Sequence, residues 1–120
     1  MMKTKSTNPQ LIQLIQSLRQ KSKENNAKIW KDIAKRLAKP RRRRTTVNLS
    51  RLNRHTSKNE TVVVPGKVLG SGRINHPIKV AAFSFSRKAD QKIKAAKGKT
   101  LSILQLANKN PKGSKVKIIG

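Results

Sequence analysis

The side chains best suited to binding chemistry in this sequence are its arginines, and they are grouped. Seven of the ten arginines lie between Arg36 and Arg54. A guanidinium group stays charged and presents a planar set of donors that grips a phosphate in two places. The sequence therefore predicts a phosphate-binding surface here, made by Arg41, Arg42, Arg43 and Arg44 and extended by Arg51, Asn53, Arg54 and His55. A solvated tail or a localisation signal is the alternative, and the mid-chain position of the four consecutive arginines disfavours a tail.

Further cationic side chains are spaced so that they share a helix face. Lys28, Lys31, Lys35 and Lys39 fall on one side of a helix at about 100° per residue, opposite Ile29, Trp30, Ile33, Ala34 and Leu37. This lysine stripe predicts a second nucleic-acid contact. Weaker candidates on loops of the second half are Lys67, Arg73, Arg87 and Lys112.

The balance of charge indicates a polyanionic partner. The 120 residues contain 30 Lys+Arg and 4 Asp+Glu, a formal net charge of +26, and a compact chain with that imbalance repels itself. Nucleic acid is the favoured partner, because phosphate contacts release counterions. A membrane is disfavoured, since the sequence has no run of about 18 apolar residues and no apolar leader segment. Aromatic residues make up only 2%, which disfavours a sheet that stacks single-stranded bases.

Catalytic and metal-binding material is scarce. There is no cysteine, the four carboxylates Glu24, Asp32, Glu60 and Asp90 are far apart, and the two histidines have no ligand-pair spacing. Asp32 and Asp90 are predicted to be counter-charges on helices. The glycines between 66 and 72 resemble a phosphate cradle, but their spacing does not match a nucleotide-binding fold. We therefore expect no enzyme activity, no cofactor, no metal and no small-molecule substrate.

The hydrophobic pattern predicts an α/β protein with a modest core. Asn8-Pro9 begins a helix that fades by residue 23, and a second helix covers residues 27–38 until Pro40. Residues 45–53 are expected to be extended or irregular, anchored by Val47, Leu49 and Leu52. The second half is predicted to contain strands at 61–64, 78–85 and 116–119, a type II turn at Pro65-Gly66, a helix from Ser86 to residue 96 capped by Gly98, and a type I turn at 110–113. Residues 101–106 fit either a strand or a helix.

These elements suggest a loose N-terminus at residues 1–7, a basic helical and extended arm at 8–60, and a small α/β core at 61–120. Strands alternating with a short helix are typical of such a core. No internal repeat and no coiled-coil heptads are visible.

Three segments, read together, resemble one protein family. They are VVVPGKVLG at 62–70, VAAFSFS at 80–86, and Asn110-Pro111-Lys112-Gly113 before a final strand. Together with the Asn8-Pro9 helix start, they resemble large-subunit ribosomal protein eighteen of the eukaryotic type in its archaeal form, a relative of bacterial large-subunit ribosomal protein fifteen. This chain has Ala96-Lys97-Gly98 where relatives often have a Gly-Gly pair.

The resemblance implies a core of irregularly wound β-β-α units with basic segments against ribosomal RNA. It implies a cytoplasmic, non-enzymatic constituent of the large ribosomal subunit, whose partners are large-subunit ribosomal RNA and neighbouring ribosomal proteins. Two other functions remain open at this point: a DNA-compacting chromosomal protein, and a nucleotide-dependent enzyme that uses the glycines between 66 and 72.

Overall fold

The computed structural model describes residues 8–40 and 45–120. Along the chain the elements are α1 (Pro9–Asn25), α2 (Lys28–Leu37), β1 (Thr45–Asn48), α3 (Leu49–Arg54), β2 (Thr61–Leu69), β3 (Lys79–Phe85), α4 (Arg87–Ala95), β4 (Lys99–Ser102), α5 (Ile103–Lys109) and β5 (Val116–Ile118). They form two compact units. The helical unit contains the described residues up to 40 together with 104–114, and the sheet unit contains 45–103 and 115–120. The predicted α/β class is confirmed.

The helical unit is built on a pair of helices with well-defined ends. The Asn8 side chain accepts a hydrogen bond from the Gln10 N–H at 3.0 Å, with Pro9 in the first turn, as the sequence predicts. Asn26 ends α1 in the left-handed conformation with φ 50°. One side of each helix is buried: Leu11, Ile15 and Leu18 in α1, and Trp30, Ile33, Ala34 and Leu37 in α2.

A distant turn completes this unit. The Gly113 N–H donates to the Asn110 carbonyl at 2.9 Å, which confirms the predicted turn at 110–113. The indole Nε1 of the fully buried Trp30 donates to the Pro111 carbonyl at 2.6 Å. The Ile29 side chain lies directly against Gly113. The turn is therefore packed on the first residues of α2.

The sheet unit contains five strands whose pairings are all parallel. β2 is central: β3 pairs along one side, and the other side is shared by β5 near the start of β2 and by β1 near its end. β4 lies beyond β3. One hydrophobic cluster joins the strands to α3 and α4, and it consists of Val47, Leu49, Leu52, Val62, Val64, Val68, Ile78, Val80, Ala82, Ala89, Ile93 and Ile119.

The predicted type II turn at Pro65-Gly66 is wrong, because β2 continues through both residues. Between Val64 and Lys67 the strand advances three residues while β3 advances two, so one extra residue is accommodated as a bulge. Proline lacks a ladder donor and is tolerated at such a position. A side chain on Gly66 would collide with the Thr45 carbonyl, so glycine here permits the close approach of β1.

The segment predicted as extended between 45 and 53 is divided into two elements. Residues 45–48 form β1, as expected, but Leu49–Arg54 is helical. The three predicted anchors, Val47, Leu49 and Leu52, are all buried. Leu49 and Leu52 are three residues apart, which places both on the inner side of α3. Residues 45–60 pack with the sheet, so the compact units differ from the division at residue 60. The division into RNA-contacting arm and core stays a prediction about binding.

The helix after β3 begins as predicted and ends differently. The Ser86 hydroxyl accepts from the Ala89 N–H at 3.2 Å, which confirms the cap. At the other end Lys97, with φ 67°, takes the left-handed position, and the expected cap Gly98 is one residue further on. The bonds from Lys97 N to Lys94 O and from Gly98 N to Ile93 O complete this termination.

Candidate nucleic-acid interface

The carboxyl ends of three neighbouring strands lie at one edge of the sheet. Asn48 and Leu69 are register partners at the ends of β1 and β2, and Val68 pairs with Phe85 at the end of β3. Because the strands are parallel, the segments that follow them leave from this same edge. These segments are α3, the loop at 70–78 and the first turn of α4.

The loop after β2 runs along α3. The Ser50 N–H donates to the Ser71 carbonyl at 3.1 Å, and the Asn75 N–H donates to Asn53 Oδ1 at 3.0 Å. Gly72 has φ 96°, and a Cβ there would lie 2.6 Å from the Ser50 Cβ. Glycine is therefore needed both for the backbone conformation and for the close contact. Two contacts to α3 thus flank Arg73 in sequence.

The same loop is attached to α4 by one lysine. Lys92 Nζ donates to the Gly70 carbonyl at 2.7 Å and to the Gly72 carbonyl at 3.0 Å. A phosphate-binding loop directs backbone N–H groups at its ligand. Here two carbonyls of the glycine loop face a cation instead, so this observation does not support the nucleotide-binding alternative. An open cavity of ≈ 510 Å³ lies between this loop and the first turn of α4, with Ser86, Arg87 and Lys88 in its lining.

Exposed cations collect at this edge, and Asp90, the acidic residue in the first turn of α4, is already paired with Lys94. Arg51, Arg54, Arg73, Arg87 and Lys88 are exposed, and together they are called the carboxyl-edge surface here. Arg51 and Arg54 are three residues apart on the outer side of α3. The sequence contains no Asp or Glu at residues 45–59 or 66–88. The arrangement is suited to binding phosphate groups.

The sequence pattern does not single out two residues of this edge, Lys88 and Lys92. A signal for them exists, because Ser86 predicts a helix start directly after a buried strand. Cations in the first turn of that helix, and one turn later, fall at the carboxyl end of the strand. The sequence predicts the four arginines of the surface individually, and the structure brings them to one edge.

The other predicted residues have separate positions. Asn53 is half-buried, and its side-chain oxygen Oδ1 accepts a hydrogen bond from the Asn75 N–H. Asn53 therefore positions the loop. His55 is exposed, and its backbone carbonyl accepts from Lys117 Nζ at 2.9 Å. Lys67 is exposed within β2, which corrects its predicted position on a loop. The predicted arginines Arg41, Arg42, Arg43 and Arg44 lie outside the described residues.

The helical unit presents its own cations. Lys28, Lys31 and Lys35 are exposed on α2, and Lys39 is exposed two residues beyond its end, as the stripe predicts. Lys112 is exposed in the turn that Trp30 holds against α2.

The carboxylates act as local counter-charges, as predicted for Asp32 and Asp90. Asp32 pairs with Arg36 at 3.2 Å. The Thr100 hydroxyl, at 2.7 Å, and then the Lys94 ammonium hold the pKa of Asp90 below its ordinary value. The Ser57 N–H and then Lys117 likewise lower the pKa of Glu60. Within residues 8–40 and 45–120, no three His, Cys, Asp or Glu side chains are grouped as a metal ion would need.

Comparison with known proteins identifies the family. The model of one family, described as ribosomal protein 60S L18 and 50S L18e, matches residues 1–120. The chain belongs to this family. A protein of Methanothermobacter thermautotrophicus named large ribosomal subunit protein eL18 is 50% identical over 117 residues, which cover 98% of this chain and 97% of the relative. Proteins of the same name from Methanococcus maripaludis and Archaeoglobus fulgidus are each 50% identical, over 99% and 96% of this chain and 99% and 98% of their own lengths.

These similarities confirm the resemblance to the archaeal form that the sequence motifs indicate. In the part of the chain that the structure describes, no helix has both the length and the apolar character needed to cross a bilayer.

Proposed function

We propose that this protein is a non-enzymatic, cytoplasmic constituent of the large ribosomal subunit, and that it binds large-subunit ribosomal RNA. The observation that carries the RNA-binding part is the carboxyl-edge surface. Four arginines and one lysine from three different chain segments meet there, and the acidic residue of those segments, Asp90, is already bound to Lys94 and Thr100. Its mechanism is structural: the protein neutralises phosphates and holds RNA segments in a fixed arrangement.

The start of α4 supports this proposal on energetic grounds. Its first two residues are Arg87 and Lys88. Positive charge near a helix N-terminus is unfavourable by about 0.3–1 kcal/mol per residue, because the helix dipole is positive there. An RNA phosphate bound at this position would make the local electrostatic energy favourable, since the free N–H groups of the first turn and both cations attract it. Asp90 in the same turn offsets part of this cost in the free protein, but it is paired with Lys94, and a phosphate would stabilise both cations in a complex.

The lysine stripe of α2 is assigned a secondary role. Lys28, Lys31 and Lys35 share one exposed face, and a lysine ammonium acts as a point charge rather than as a planar fork. This face, with Lys112, contributes diffuse attraction to phosphate. Neighbouring ribosomal proteins are the other partners that we propose, in keeping with a constituent of a large particle.

Salt-dependent binding to large-subunit ribosomal RNA tests the proposal. The variant with Arg51, Arg54, Arg73 and Arg87 all changed to Gln should flatten the plot of log K against log salt by about 3 units, at 0.7 to 0.9 for each phosphate that is no longer neutralised. The comparison variant changes Lys28, Lys31, Lys35 and Lys39 to Gln, which removes the same total charge. Equal slopes for both variants would show that net charge alone governs binding and would contradict the assigned surface.

Duplex DNA at equal salt provides the second arm of this test. A DNA-compacting protein would bind duplex DNA as tightly as structured RNA and would lose affinity for both in the arginine variant. A ribosomal RNA-binding protein prefers the RNA. Preference for the duplex would overturn the proposal.

A further inference from the structure

A second cluster of cations lies at the opposite edge of the sheet, where strands begin. Lys79 and Lys99 are register partners at the amino ends of β3 and β4, and both are exposed. Partners in neighbouring strands are about 4.8 Å apart, and like charges placed there destabilise a sheet. The sequence pattern singles out neither lysine. Beside them is a cavity of ≈ 200 Å³, whose lining also includes Asn59, Pro77 and Lys97.

The third lysine of this cavity has an unfavourable backbone conformation. Lys97 is exposed, with φ 67°, at the position after α4 where glycine is strongly preferred. Its Cβ is crowded in this left-handed conformation, so the chain keeps a side chain there at a cost in stability. Asn59, across the cavity, also has positive φ, at 66°, and its N–H donates to the Pro77 carbonyl at 2.7 Å. Such conformations concentrate at functional sites.

No carboxylate belongs to the cavity lining. The two nearest in sequence already have partners. Glu60 pairs with Lys117 at 3.2 Å and accepts from the Ser57 N–H. Asp90 pairs with Lys94 at 3.0 Å and accepts from Thr100. The positive charges of the three lysines are therefore not balanced by a carboxylate in the cavity, and a phosphate could bind there.

We propose that Lys79, Lys97 and Lys99 form a second phosphate site, which binds the backbone of an RNA segment other than the one at the carboxyl-edge surface. The inference rests on the proposed function. β3 has seven residues and runs from one edge to the other, which separates the two sites by about 20 Å at 3.3 Å per residue. The two sites are therefore too far apart to bind the same phosphate group. The sheet unit thus acts as a rigid spacer between two RNA segments.

A pair of glycine variants tests the site. Lys97→Gly removes one cation and relieves the left-handed conformation, so it should raise Tm while lowering the salt slope for large-subunit ribosomal RNA by about 0.7 to 0.9. Lys115→Gly is the matched control. Lys115 is also an exposed lysine with positive φ, at 59°, but it does not line the cavity. We expect Lys115→Gly to raise Tm and to leave the slope unchanged.

Amine acetylation of the wild-type protein supplies an independent readout. Lys79, Lys97 and Lys99 should react with an acetylating reagent in the free protein and be protected when it is bound to protein-free ribosomal RNA. Equal slopes for Lys97→Gly and Lys115→Gly, or free reactivity of the three lysines in the complex, would overturn the second site alone. Protection only in the whole subunit would also overturn it, in favour of a neighbouring protein. Absence of any RNA binding would instead overturn the proposed function.

Discussion

Lys92 Nζ lies 2.7 Å from the carbonyl oxygen of Gly70, and this hydrogen bond joins the fourth helix to the loop that carries Arg73. A second bond from the same ammonium reaches the Gly72 carbonyl at 3.0 Å. One exposed lysine therefore restrains the loop without itself belonging to the carboxyl-edge surface. This separates its role from that of a cation that contacts phosphate directly.

Lys92→Met should loosen the loop and weaken RNA binding indirectly. The substitution removes the donor from two exposed carbonyls, so we expect destabilisation of about 0.5–1.5 kcal/mol, since water replaces part of each bond. The amides of the 70–75 loop should exchange faster with solvent, as measured by hydrogen exchange. Lys88→Met is the control, because it removes the same charge from the same helix. Identical exchange rates in the two variants would argue against the positioning role.

The helical unit offers a prediction about stability. Trp30 is fully buried and its indole N–H is bonded to the Pro111 carbonyl at 2.6 Å. Trp30→Phe keeps an aromatic ring but leaves that carbonyl without its donor, so we expect a loss of about 1–3 kcal/mol in urea unfolding followed by circular dichroism. Ile33→Val, which removes only a buried methylene, should cost about 0.5–1.5 kcal/mol. A Trp30→Phe variant as stable as wild type would show that the bond to Pro111 contributes nothing.

Acid should destabilise the sheet unit through two carboxyl groups. The folded-state pKa values of Asp90 and Glu60 are lowered, chiefly by the Thr100 hydroxyl and the Ser57 N–H respectively. A lowered pKa contributes stability above the unfolded value, and this contribution is lost as pH falls through the folded value. We therefore expect stability to decline below about pH 4.

The variant Asp90→Asn isolates one of these groups. It should make the acid limb of the stability curve shallower, because the side chain at position 90 no longer titrates. Thermal unfolding between about pH 2 and 6 measures this. An acid limb of unchanged steepness would show that Asp90 has the same pKa in the folded and unfolded chain.

Local chemistry explains which parts of the fold the sequence predicts. The caps Asn8 and Ser86 are predictable because each bonds an N–H two or three residues away. Pro65-Gly66 misleads the prediction because the residues that matter are distant: Gly66 packs against Thr45, a neighbour only after β1 pairs with β2. Nothing in the local pattern reports that pairing.

The candidate interface shows the same limit. The sequence predicts Arg51, Arg54, Arg73 and Arg87 as separate contacts, and the net positive charge of the chain favours each of them. Their convergence depends on the parallel register of β1, β2 and β3, which cannot be obtained from spacing along the chain. The sequence gives still less indication of the cavity beside Lys79 and Lys99, because these two lysines become neighbours only through the pairing of β3 with β4.

The carboxyl-edge surface allows a test of whether RNA binding needs the shape of the guanidinium group or only its charge. Changing Arg51, Arg54, Arg73 and Arg87 to Lys keeps the net charge and the exposure of each site. The planar guanidinium group of arginine binds a phosphate through two hydrogen bonds, whereas the ammonium group of lysine binds it as a point charge. We expect the fourfold Lys variant to bind large-subunit ribosomal RNA at least tenfold more weakly, about 1.4 kcal/mol.

The reciprocal change supplies the control. Lys28, Lys31, Lys35 and Lys39 changed to Arg should alter affinity by no more than about 0.5 kcal/mol, the usual range for surface substitutions, because that stripe acts as diffuse charge. Competition binding against one ribosomal RNA fragment at fixed salt measures both variants. If the fourfold Lys variant binds as wild type does, charge alone suffices at the carboxyl edge. The specificity of docking would then have to come from other residues, and the clustering of arginines at this edge would have no geometric cause.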